Sequence, residues 1–105
     1  MNISLSSQDG SSDISFQDAY VKIRVQDVGR ADAPATVLAS MEQPIYELPT
    51  TIQFHFDRSC IERAVTPCLS VQIEDSDGKL CFINDYRIPL TPYMDHVAAV
   101  LQPIR

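Results

Sequence analysis

Leu69-Ser70-Val71-Gln72-Ile73-Glu74-Asp75-Ser76-Asp77-Gly78-Lys79-Leu80-Cys81-Phe82-Ile83 is the stretch that decides the fold. Leu69, Val71 and Ile73 alternate with Ser70, Gln72 and Glu74, the period-two pattern of a strand with one face buried. Asp75 to Gly78 supplies the turn, and Lys79 to Ile83 runs back. An Asp-Gly step between two β-prone runs is a strong local signal for a hairpin.

The same alternation continues towards the N-terminus. Ala19, Val21, Ile23 and Val25 share one face, and Tyr20, Lys22, Arg24 and Gln26 the other. Asp27 to Pro34 reads as a long turn punctuated by Gly29 and Pro34. A second strand is expected from Thr36 to about Glu42, with Val37, Ala39 and Met41 together on one side. Pro44 and Pro49 bracket Ile45 to Leu48, which suits an edge strand or an extended connection. In Thr51 to Phe56 the residues Ile52, Phe54 and Phe56 point one way, Gln53 and His55 the other. Asp57 to Arg63 suggests a single helical turn. Val97 to Leu101 suits a closing strand or a short helix, since Ala98-Ala99 weakens the β preference. Ser6 to Asp13 is small and polar, so residues 1–13 are expected to form a flexible leader and 14–105 a single domain. The fold class expected is all-β: a compact antiparallel β-sandwich, or small barrel, of six or seven short strands.

With 105 residues the chain suits one domain with one hydrophobic core. Eight basic residues stand against 14 acidic ones, a formal charge of −6, and no basic stripe interrupts the balance. Nucleic-acid binding and docking on anionic lipid are therefore disfavoured. No apolar run approaches the ~20 residues of a membrane-spanning helix. The start Met1-Asn2-Ile3-Ser4-Leu5 has neither the basic head nor the apolar stretch of a signal peptide. Cys60, Cys68 and Cys81 contain no Cys-x-x-Cys pair, so a zinc site is not expected. Cys60 and Cys68 are able to pair if the chain folds back between them, and Cys81 suits a small buried hydrophobe.

Candidate chemistry is sparse. Asp75-Ser76-Asp77-Gly78 resembles the opening of a calcium loop, yet position 12 counted from Asp75 is Tyr86 where a bidentate Glu is required. The turn explains the same residues. His55 and His96 lie in no motif that supplies a nucleophile and an orienting carboxylate. Three glycines, Gly10, Gly29 and Gly78, make no phosphate loop. Pro89-Leu90-Thr91-Pro92 has P-x-x-P spacing without basic flanks and suits a strand-breaking connection. No catalytic residue, metal or cofactor is expected. Binding is the remaining class, by edge-strand pairing near Pro34, Pro44 and Pro49 or by an apolar groove. Tyr20, Leu38, Tyr46, Ile83 and Tyr86 are the candidate partner-binding residues, each also able to serve as core.

Two segments carry a family resemblance. Val25 to Ala35 resembles the Asp-Val-Ser-x-Ala-Asp-Ala-Pro-Ala stretch of the YbaY/YscW family of small bacterial lipoproteins. Val71 to Asp85 resembles that family's hairpin, down to the Phe82-Ile83-Asn84-Asp85 ending, and Phe54 to Asp57 falls where the family has an aromatic strand. The resemblance spans roughly residues 20 to 88, in order. It implies a β-sandwich lipoprotein at the periplasmic face of the outer membrane. Its characterised branch consists of type III secretion pilotins, which bind the secretin C-terminal segment and escort it for ring assembly. No lipidated cysteine precedes the domain here, and the match fades after Asp85.

The expected function is thus a non-enzymatic secretin chaperone of a type III system, a monomer with the secretin tail as partner. The alternatives are a generic envelope lipoprotein of the YbaY type and a type II pilotin. A disordered tail that folds as a helix against an apolar groove would suit the task.

Overall fold

The computed structural model describes residues 1–8, 13–29, 34–84 and 87–104. Eight strands and one short helix follow in order among them: β1 (Asn2–Ser7), β2 (Ile14–Asp27), β3 (Thr36–Leu48), β4 (Thr50–Gln53), α1 (Ser59–Glu62), β5 (Pro67–Glu74), β6 (Leu80–Asn84), β7 (Ile88–Pro89) and β8 (His96–Pro103). They make one continuous sheet in the order β3-β2-β5-β6-β8-β1-β4, with β7 paired to β5. The two ends of this path, β3 and β4, are joined through Pro49, so the sheet curls into a nearly closed barrel. The all-β reading holds, in its small-barrel form. One pair, β1 with β8, is parallel, and the other pairings are antiparallel.

The quoted hairpin forms as expected. Leu69, Val71 and Ile73 are buried on β5, and β6 returns beside it. The loop is tied by Asp75, whose Oδ1 accepts from the Asp77 and Lys79 amides at 2.9 Å each. Gly78 takes φ +80°, the left-handed region that a three-residue hairpin loop needs and that glycine enters without steric cost. Beyond Ile83 the β5–β6 backbone ladder ends, and the Asn84 side chain replaces it. Its Oδ1 accepts from the Val71 amide at 2.9 Å and its Nδ2 donates to the Leu69 carbonyl at 3.4 Å. β7 then resumes pairing at Cys68 and Leu69.

The core is the inner face of this sheet. Val21, Ile23 and Val25 of β2 lie between Leu69, Val71 and Ile73 on one side and Ala39, Met41 and Gln43 on the other. Fully burying each such aliphatic side chain contributes roughly 1.5–3 kcal/mol. Ile61 of α1 is buried in the same cluster, with Cys60 packed against it.

Two expectations are corrected and one open choice is settled. Residues 2–7 of the expected leader form β1, with Ile3 and Leu5 buried. The signal is the Ile3-Ser4-Leu5-Ser6 alternation, which is too short to specify a strand until β4 and β8 flank it. The choice for Val97 to Leu101 resolves as strand, because pairing to β1 outweighs the weak propensity of Ala98-Ala99. Val37 is not on the face of Ala39 and Met41: a register irregularity between Val25 and Gln26 pairs it with Gln26 and leaves it half exposed.

Candidate partner-binding surface

Tyr20, Lys22 and Arg24 project from the outer face of β2, since Val21, Ile23 and Val25 occupy the inner one. Their cross-strand partners on β3 are Pro44, Glu42 and Ser40. Tyr46 lies two residues beyond Pro44 on the same side. Tyr20 and Tyr46, 43% and 71% exposed, thus flank Pro44 and give this end of the ribbon an apolar outer surface. A depression of about 190 Å³ opens beside it at the β3–β4 corner, lined by Gln43 to Glu47 and Thr50 to Ile52. A second, of about 270 Å³, lies along the ribbon over Lys22, Arg24, Ser40, Met41 and Glu42. Lys22 is held by Glu74 at 3.2 Å, a half-exposed pair of the kind that contributes a fraction of a kcal/mol.

The other candidates lie elsewhere. Leu38 sits in the irregular stretch of β3 and packs half-buried against the core. Ile83 is half-buried on β6, in the row of Lys22 and Gln72 but separated from the tyrosines by β5. Tyr86 lies outside the described residues. The structure therefore brings Tyr20 and Tyr46 together beside Pro44, already singled out as an edge position, and adds Lys22 and Arg24, whose outward parity on β2 was the available signal.

Chemistry elsewhere is modest. Ser4 Oγ and His96 Nε2 lie 3.2 Å apart on the exposed outer face, where no carboxylate orients the ring among the described residues. His55 is exposed. Among the described residues no group of three His, Cys, Asp or Glu could hold a metal, and the Asp75 carboxylate is occupied with its own turn. Cys60, Cys68 and Cys81 are free thiols. Burial pushes the Cys60 and Cys68 thiols above their ordinary value, which suppresses thiolate reactivity.

Asp27 shapes the far end of the ribbon. Its carboxylate accepts from the amides of Thr66 at 2.9 Å, Gly29 at 3.0 Å and Val65 at 3.1 Å. These bonds favour the charged form, those from Thr66 and Val65 most, and lower its pKa. A Cβ on Gly29 would approach Val65 to 2.6 Å, so only glycine permits this closeness. The segment before β5 is thereby fastened to the end of β2.

Comparison with known proteins follows the same outline. The family model of the type III secretion system lipoprotein chaperone YscW matches residues 14–100. Among solved structures, an alternative pilotin from the type II secretion system of Vibrio cholerae is similar with a TM-score of 0.79 at 28% identity. The match covers 100% of this chain and 96% of that one. No curated protein matches the sequence.

Proposed function

The chain belongs to the YscW family of type III secretion system lipoprotein chaperones, and from that premise we propose that it is a pilotin that captures the C-terminal segment of a secretin subunit. The family acts by chaperoning and not by catalysis, and as a family of lipoproteins it implies attachment to a membrane. We place the attached domain at the periplasmic face of the outer membrane, where a secretin ring assembles.

The observation that carries the reading is the likeness to a pilotin along the whole chain. The Tyr20–Pro44–Tyr46 surface supports it physically: exposed aromatic side chains are the residue type that most often anchors a partner, at a low cost in side-chain entropy. The tail is disordered before capture and orders on this surface, which gives specificity at moderate affinity.

Titration of the chain with a synthetic peptide of the cognate secretin's C-terminal segment tests the proposal. Binding tighter than ~100 μM, about 5.5 kcal/mol, is expected, with a gain of helical circular dichroism. Tyr46→Ala removes an exposed ring without touching the core and is expected to weaken binding about tenfold. An absence of binding at that concentration overturns the proposal. The structural likeness to a type II pilotin favours one second reading, that the chain serves a type II secretin. Peptides from the two classes of secretin, offered side by side, decide between them.

A further inference from the structure

The direction of each backbone group along β3 follows from the strands beside it. On β5 the Val71 amide and the Leu69 carbonyl are bound by Asn84 of β6, so odd-numbered β5 residues face away from β2. The Thr66 carbonyl, accepting from Val28, shows the even-numbered ones facing β2. Their partners Tyr20, Lys22 and Arg24 therefore spend their N–H and C=O groups on β5, and Val21, Ile23 and Val25 spend theirs on β3. By the same alternation Ser40, Glu42 and Pro44 of β3 point away from β2. Pro44 fits, since its missing N–H would otherwise break the ladder. Among the described residues β3 pairs with β2 alone, and neither Ser40 nor Glu42 has another backbone partner. Both are exposed.

We infer that the free edge of β3 pairs with β3 of a second copy of this chain, antiparallel about a two-fold axis at Met41. In this register Ser40 stands opposite Glu42 of the second copy, and Glu42 opposite its Ser40, as hydrogen-bonded pairs. Arg24 lies beside Ser40 in the same row of the outer face. It has no ion-pair partner among the described residues, whereas the neighbouring Lys22 is engaged by Glu74. The small Ser40 side chain lets the Arg24 guanidinium reach across to Glu42 of the second copy, and symmetry repeats the contact. On the inner face Met41, half-buried in one copy, meets its own counterpart.

The neighbouring registers are poorer. An axis at Glu42 sets two like charges opposite each other and brings Ser40 against Pro44, which has no N–H to give. An axis at Ser40 sets Glu42 against Leu38, inside the irregular stretch of β3. Charge and backbone chemistry thus select one arrangement. It departs from the monomer expected from the sequence.

Sedimentation equilibrium from micromolar to millimolar concentration tests the inference. A reversible dimer is expected. Arg24→Glu places a negative charge beside Glu42 of the second copy and should raise the dissociation constant about tenfold. Adding Glu42→Arg to that variant should restore association. Ser40→Pro removes an edge N–H without disturbing the β2 ladder and should give monomer, with far-UV circular dichroism reporting the fold. If that variant unfolds, the charge exchange decides alone. A monomer at every concentration, or a dimer indifferent to the charge reversal, overturns the inference. Secretin-peptide binding by the unsubstituted chain, measured separately, leaves the pilotin reading standing whichever way association falls.

Discussion

β5 and β3 both lie against β2, and they differ in what lies on their other side. β5 has β6, β7 and the Asn84 side chain there, so its backbone groups are spent and its inner residues are sealed. β3 has open edge at Ser40 and Glu42, and its inner residues Ala39, Met41 and Gln43 stay half-exposed. The same antiparallel pairing to β2 thus yields a sealed strand on one side and an open-edged one on the other. A second neighbour, more than strand propensity, separates a sealed strand from an open edge.

The largest effect that would sharpen this contrast is truncation of paired core. Ile73→Ala, fully buried on β5, should cost roughly 2–5 kcal/mol in urea unfolding, while Met41→Ala on β3 should cost less than half as much. Equal losses would break the comparison. Next comes Asn84→Ala, which strips the bonds to Val71 and Leu69 and should cost about 1–3 kcal/mol by leaving backbone groups unpaired. Hydrogen exchange at the Val71 amide should accelerate with it.

A smaller effect concerns the clasp where the ribbon meets the start of β5. The folded pKa of Asp27 is lowered below its ordinary 3.8, so its contribution is present above that value and is lost as pH falls through the folded value. Asp27→Asn should lower the urea midpoint by a constant amount near neutral pH. The gap to the parent should shrink only below pH 3.8. A gap that persists unchanged into that acid range would remove the carboxylate from the account. The smallest effect on folding is expected of Tyr46→Ala, within about 0.5 kcal/mol, as for surface sites away from special features. Its expected effect is on peptide affinity.

The hairpin of β5 and β6 was legible because alternation, an Asp-Gly step and β-branched residues agree there. The outward placement of Tyr20, Lys22 and Arg24 was legible for the same reason. β1 was not, because Ile3 and Leu5 alternate over too short a span to stand out from a polar context. Leu38 and Val37 were misplaced by one register irregularity, which period-two reasoning carries no sign of. Of the candidate binding residues, Tyr20 and Tyr46 needed the β2–β3 register to be recognised as neighbours.

Local pattern by itself determined that this chain is all-β, acidic, built on one hairpin and related in motif to secretion lipoproteins. It could do so because side-chain parity and turn chemistry are properties of adjacent residues. Only the tertiary structure decided that the sheet curls until β3 and β4 meet at Pro49, and that β1 slots in parallel to β8. Only the tertiary structure, too, left the outer edge of β3 open. Those outcomes depend on which strand finds which neighbour across the whole chain, and parity specifies a strand's faces but not its neighbours.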